Sequence, residues 1–206
     1  MKLIDALARI LKLDQPAFRT ADVAACLEVR SGHASKILER LAGAGHLVRL
    51  TRALWAVPGR VEPFALPELL AAPFPAYVSL HSALYHHGMV SQIPSVIYAV
   101  SLARARRLVT PLGAVSLHHV DPTFFLGFES HGRNAVKIAT PEKALMDVLY
   151  LGAGRSRGLS ALPEIELPSG FRIQRARAIL RRIAAPPRRH RVERRLNRLL
   201  AELRPA

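Results

Sequence analysis

Apolar residues recur at helical spacing from the start of the chain. Leu3, Leu7, Ile10 and Leu11 predict a first amphipathic helix, and Pro16 ends that region. Thr20 is placed to cap a second helix in which Val23, Ala24 and Leu27 face inward. Val29 and Arg30 make a tight break. Ser31 then caps a third helix from about Gly32 to Ala42, with Ala34, Ile37, Leu38 and Leu41 as its core face. Gly43 and Gly45 stop it. Two short apolar runs, 46–50 and 53–57, flank Thr51 and Arg52 and read as a β-hairpin. Helix, helix, turn, helix and two-stranded wing is the plan of a winged helix-turn-helix.

Prolines mark the next joint. Pro58, Pro63, Pro67, Pro73 and Pro75 crowd one stretch, which reads as a connection or a short proline-broken helix. The chain is therefore divided into a first domain at 1–60, a Pro-rich connection at 61–76 and a second domain at 77–206. In the second, Tyr77–His87 reads as a helix ending at Gly88. Ser95–Leu102, Ala114–Val120 and Asn134–Ile138 read as strands. Thr140 caps a helix running to about Tyr150, with Pro141 at the first position, where its missing N–H costs nothing. Residues 152–158 read as a loop. Phe171–Ala185 shows Ile173, Ala176, Leu180 and Ile183 on one face. Pro186-Pro187 breaks it, and Arg188–Leu203 follows with a stripe of Val192, Leu196, Leu199 and Leu203. The expected fold class is α+β: an N-terminal winged helix-turn-helix, then a mixed α+β domain ending in two Arg-rich helices.

Charge sharpens this division. The 206 residues carry 30 Lys+Arg against 15 Asp+Glu, a formal net charge of +15, which favours a polyanionic partner. Residues 1–60 hold ten basic and five acidic side chains, residues 61–149 six of each, and residues 150–206 fourteen and four. Half the residues are hydrophobic, which excludes a disordered basic tail. No apolar run approaches the ~18 residues of a membrane span. Asp5, Arg9 and Lys12 interrupt the opening apolar residues, unlike a signal-peptide core. The single cysteine, Cys26, excludes an internal disulfide framework and a Cys-rich zinc site. The expected compartment is the cytoplasm.

In a winged helix-turn-helix the third helix enters the major groove of double-stranded DNA, its N-terminal part nearest the bases. Helical projection puts Ser35, Lys36, Glu39 and Arg40 opposite the core face, with His33 at its edge. Lys36 and Arg40 suit phosphates or guanine edges, and Ser31 and Ser35 suit phosphate or base edges. Arg49 and Arg52 sit in the wing. The expected DNA-binding residues are therefore Ser31, His33, Ser35, Lys36, Arg40, Arg49 and Arg52. A second basic surface is open on the last two helices, at Arg175, Arg182, Arg188, Arg189, Arg191 and Arg195. It reads evenly as a solvated face or a phosphate-binding surface, with a membrane-surface helix as a further option; no membrane partner is expected.

Enzymatic chemistry finds little support. His86-His87 and His118-His119 invite a metal, but His81 and His86 lie five apart and no carboxylate completes a HExxH-like pattern. A metal-dependent nuclease needs clustered carboxylates with a lysine close behind. Asp121 could begin such a set, yet position 135, two before Lys137, is Ala, and Glu142 and Asp147 sit on poorly matched helix faces. Residues 152–158 lack the Lys-Ser/Thr pair of a phosphate loop. No enzyme activity, cofactor or metal is expected, with a nuclease as the distant alternative.

Two stretches carry a resemblance. One is Tyr77-Val-Ser-Leu-His-Ser-Ala-Leu-Tyr-His-His-Gly-Met-Val with Ile93-Pro94. The other is Ile138-Ala-Thr-Pro-Glu-Lys-Ala-Leu-Met-Asp-Val-Leu-Tyr150. With the leading winged domain they resemble the AbiEi family of antitoxins and transcriptional regulators of type IV toxin–antitoxin (abortive infection) systems. The resemblance implies an N-terminal domain that binds operator repeats and represses its own operon; the oligomeric state stays open between a dimer and monomers binding cooperatively. It also implies a C-terminal domain that counters a nucleotidyltransferase-like toxin without a stable complex. DNA reading then maps onto Ser31–Arg40 and the wing arginines, and Pro141, Glu142, Leu145 and Asp147 are structural. Two alternatives stay open: an antitoxin acting through its C-terminal domain on protein or RNA, and a lone regulator without a toxin.

Overall fold

A computed structural model describes residues 2–132, 136–152 and 164–203. The chain opens with helix α1 (Leu3–Leu11), strand β1 (Ala17–Arg19), helices α2 (Thr20–Leu27) and α3 (Ser31–Gly43), and the hairpin β2 (Val48–Thr51) and β3 (Leu54–Ala56). The three strands form an antiparallel sheet in the order β1-β3-β2. Ala6, Ile10, Phe18, Val23, Leu27, Ala34, Leu38, Leu41 and Trp55 fill the core between helices and sheet. The apolar period that predicted the helices thus lies on their buried faces. The three-residue strand β1 was not anticipated: it is too short to show alternation, and it exists by pairing with β3.

The caps differ from expectation. Thr20 is the first helical residue of α2, not its cap; the Arg19 backbone N–H donates to the Asp22 carboxylate at 2.7 Å. Thr20 Oγ1 instead accepts from the Trp55 indole at 3.0 Å, tying α2 to the hairpin. Ser31 likewise lies inside α3, whose cap position is Arg30. The break between these helices turns on Glu28, in the left-handed region at φ 57°.

The second part is a six-stranded mixed sheet with helices on it. A 3₁₀ turn (Pro63–Ala65) leads into α4 (Leu66–Ala71), β4 (Ala76–Val78), α5 (Leu80–His86), β5 (Ile97–Ser101), β6 (Arg106–Thr110) and β7 (Gly113–His119). β8 (Phe128–His131), β9 (Val136–Ala139), α6 (Pro141–Gly152), α7 (Ile173–Arg181) and α8 (Pro186–Glu202) complete it. The order is β6-β7-β5-β4-β9-β8, with β5/β7 and β4/β9 parallel and the other pairs antiparallel.

Alternation along the strands divides two cores. Tyr77 and Val100 join the cluster built around α5, α6, α7 and α8. Their neighbours Ala76, Ala99, Val115 and Leu117 face the other way, onto Leu66, Leu70 and Ala71 of α4. Ala17, Leu50, Leu54 and Ala56 of the N-terminal sheet belong to that same cluster. The stretch read as a connection or a short proline-broken helix holds such a helix, α4 with Pro67 in its first turn, and the N-terminal unit packs on it. The Arg19 guanidinium adds a hydrogen bond to the Ala72 carbonyl at 3.2 Å.

The expected helix at Tyr77–His87 is a strand followed by a helix. Ala76–Val78 pairs with β5 on one side and β9 on the other, and Leu80, at φ 55°, turns the chain into α5. Two sheet partners outweigh local helical preference there. β6 and β8 were also unforeseen. α6 begins as anticipated: Thr140 Oγ1 accepts from the Lys143 N–H at 3.3 Å, and Pro141 is its first residue. Every residue from Glu142 to Tyr150 is buried, so this helix is the centre of the domain. Of the expected strand 134–138, residues 136–138 fall in β9 and the first two lie outside the described residues; so does the expected loop at 152–158, apart from Gly152. α7 ends at Arg181, four residues before the predicted Ala185, and Pro186 starts α8 rather than only breaking a helix. Among the described residues no helix is long and apolar enough to cross a membrane.

Candidate nucleic-acid interface

α3 buries Ala34, Ile37, Leu38 and Leu41 and turns its other face outward. Ser31, His33, Lys36, Glu39 and Arg40 are exposed, and Ser35 is half-buried with its hydroxyl 3.4 Å from the Glu39 carboxylate. His33 with Lys36, and Lys36 with Arg40, are neighbours along one helical face. Arg30, at the cap position, adds an exposed cation beside the first turn. A projection of the helix alone misses Arg30, because it precedes the first helical residue.

The two hairpin arginines differ. Arg49 Nε donates to the Thr51 carbonyl at 3.3 Å and Nη2 to the Arg52 carbonyl at 3.2 Å. Its guanidinium lies 5.2 Å from the Trp55 ring centre. Arg49 thus braces the turn, while Arg52 is exposed at its tip.

The six C-terminal arginines fall into separate settings. Arg188 Nη1 donates to the Tyr150 hydroxyl at 2.7 Å, with its guanidinium 4.6 Å from that ring. Arg195 Nη1 donates to the Leu149 carbonyl at 3.3 Å. Both fasten α8 to α6. Arg175 lines a pocket of about 290 Å³ with His87, Glu129, His131 and Glu142. Arg182 and Arg191 are exposed, and Arg189 is half-buried.

The two sequence stretches singled out around Tyr77 and Thr140 meet in the interior. Asp147 Oδ2 accepts from the Ser79 hydroxyl at 2.6 Å and the Tyr77 hydroxyl at 3.0 Å. Its Oδ1 accepts from Lys143 Nζ at 2.7 Å, and Lys143 also donates to the Phe124 carbonyl at 2.8 Å. Both charged side chains have no solvent exposure. The ammonium lies 3.4 Å from the Phe124 ring centre, a cation–π contact in a dry site. Burial pulls the Lys143 ammonium below the usual lysine range, an effect that Asp147 opposes. Burial first, and Asp147 second, hold the Tyr77 phenol well above its ordinary value, so it stays a donor. Gly127 makes room: at φ +75° a Cβ there would sit 3.2 Å from the Lys143 stem. Glu142 accepts the Arg172 backbone N–H at 2.9 Å, joining α6 to the start of α7. This cluster is sealed from solvent and organises the core.

The histidines also gather. His86 lies 5.0 Å from His87 and 6.1 Å from His131, ring centre to ring centre, and His87 Nε2 is 2.7 Å from the Ala139 carbonyl. Burial, then His87 and His131, hold His86 below the ordinary imidazole value. His118 pairs with the Ser116 hydroxyl at 3.0 Å and is lowered by burial and by His81, against the pull of Asp147. His81 is lowered by burial, and its Nδ1 is buried with no hydrogen-bond partner among the described residues. Among the described residues, no three His, Cys, Asp or Glu side chains are grouped to hold a metal ion.

Comparison with protein-family models finds no match, and comparison with curated proteins finds none either.

Proposed function

We propose that this protein is a non-enzymatic, sequence-specific repressor that binds double-stranded DNA through a winged helix-turn-helix at its N-terminus. The observation that carries the reading is the outer face of α3. Ser31, His33, Lys36 and Arg40 stand exposed there, on a unit that runs helix–strand–helix–helix and ends in a hairpin with Arg52 at its tip. A helix so exposed on a basic domain suits the major groove, and a hairpin arginine suits the adjacent backbone or minor groove. The resemblance of the Tyr77–Val90 and Ile138–Tyr150 stretches to AbiEi proteins extends the reading to a cytoplasmic antitoxin that represses its own operon. Its toxin would be nucleotidyltransferase-like and met without a stable complex. Operator repeats one helical turn apart would bring two protomers together, as a dimer or cooperatively.

The test is binding of the purified chain to its own promoter and to random duplex across a salt series. The repressor reading expects promoter preference and an affinity that falls steeply with salt. Equal affinity for both duplexes rejects it. The second reading is an antitoxin acting through its C-terminal domain on protein or RNA. It draws on the size of that domain, which has a sealed core of its own around Asp147. Toxin neutralisation by a full-length Lys36→Ala/Arg40→Ala variant that no longer binds the promoter would favour this second reading.

A further inference from the structure

A pocket of about 310 Å³ opens at the seam between the N-terminal unit and the six-stranded sheet. Pro16, just before β1, forms one wall, and Phe64, Leu69 and Val78 are among the apolar residues of the others. Only two of its lining residues are charged, Glu68 of α4 and Lys137 of β9, and they are ion-paired with each other. We propose that this pocket binds a small, mostly apolar carboxylate, such as an aromatic or short-chain acid, with Lys137 holding the carboxylate.

Its size and composition fit. Small-molecule sites run from about 300 to 1000 Å³, are mostly apolar with a few placed polar groups, and favour the junctions between domains. The volume lies at the low end, enough for one ring or a short chain. The ion pair sets the sign of the ligand. Lys137 is 28% exposed and Glu68 is 42% exposed, so Glu68 is the partner that can turn to water and leave Lys137 to an incoming anion. The exchange replaces one charge-assisted hydrogen bond by another and breaks no covalent bond. A ligand seated here touches both parts of the molecule. The site does not depend on the DNA-binding reading and is tested without DNA.

The experiment is isothermal titration of the full chain with benzoate, phenylacetate and hexanoate, using benzamide and benzylamine as neutral and cationic counterparts. Saturable binding of at least one carboxylate, with its neutral and cationic counterparts weaker, is expected. Lys137→Met should weaken it roughly tenfold or more, the loss for one hydrogen bond to a charged group. Glu68→Gln should leave it unchanged or strengthen it, because the competing carboxylate is gone. Melting curves establish that each variant is folded. No saturable binding by any acid, equal binding of benzamide, preference for benzylamine, or weakening by Glu68→Gln would each overturn the proposal. So would a folded Lys137→Met protein that binds as the parent does.

Discussion

Lys143 and Asp147, one turn apart on α6, form an ion pair with no exposure to solvent, Nζ to Oδ1 at 2.7 Å. The pair is complete in itself and in its surroundings. The second oxygen of Asp147 takes the hydroxyls of Tyr77 and Ser79, and a second Lys143 proton goes to the Phe124 carbonyl. A buried charge pair offsets its desolvation only when its remaining donors and acceptors are satisfied in this way.

Breaking that pair from one side should be severe. Asp147→Ala leaves Lys143 and two hydroxyls without their acceptor, and a loss of about 3–5 kcal/mol is expected. Tyr77→Phe removes one hydrogen bond to a charged group and should cost about 1.5–3 kcal/mol. Urea denaturation measures both, and an Asp147→Ala variant within 1 kcal/mol of the parent would contradict the arrangement.

Stability should fall in mild acid. His81, His86 and His118 are held below their ordinary values in the folded state, chiefly by burial. Unfolded histidines take up protons near pH 6.5, before the folded ones do. The unfolded state then binds more protons, so this contribution is full above pH 6.5 and is lost as pH drops through the folded values. Melting temperatures from pH 8 to pH 5 check this, and His118→Gln should flatten the profile. A profile unchanged by His118→Gln would remove His118 from the account.

On the proposed DNA surface, Lys36→Ala with Arg40→Ala should weaken duplex binding more than Arg104→Ala with Arg106→Ala. The salt slope should fall by roughly two, about one for each lost phosphate contact. Arg106 is already engaged with the Leu70 carbonyl, which makes its loss more a matter of packing than of binding. Electrophoretic or anisotropy titrations at several salt concentrations separate the two pairs. Equal effects from both would move the interface off α3.

The C-terminal arginines should divide by role. Arg188→Ala removes the hydrogen bond to Tyr150 and the stacked guanidinium, with an expected cost of about 1 kcal/mol. Arg182→Ala, at an exposed position with no contact of that kind among the described residues, should leave thermal stability unchanged within about 0.5 kcal/mol. Differential scanning calorimetry distinguishes them, and equal losses would mean that the Tyr150 contact contributes nothing.

Much of the local structure was legible because its signals are local. The core face of α3, the hairpin after it, the start of α6 at Thr140-Pro141 and the apolar stripe of α8 all follow from spacing within one turn or two. What escaped depends on partners far along the chain. β1 exists because β3 lies beside it. Tyr77 and Val78 are extended because β5 and β9 flank them. The cluster at Asp147 joins residues 68 and 70 positions apart. In the candidate interface, the face of α3 was readable from its helical period. That Arg49 turns back onto its own hairpin, and that Arg188 and Arg195 fasten α8 to α6, was not.

By itself, the amino-acid sequence determined the helical periods, the breaks at proline and glycine, and a charge concentrated at the two ends around a neutral middle. Tertiary structure alone decided how the neutral middle is held together. Its lysine and carboxylate lie one turn apart on α6, and a charged pair at that spacing reads on a page as an exposed helix face. Packed against Tyr77, Ser79 and Phe124, that face has no water to meet, so its charges must satisfy each other. The same packing sets the N-terminal unit against α4 and opens the seam pocket beside Lys137. Pairing over long separations decides both, and no window along the chain contains it.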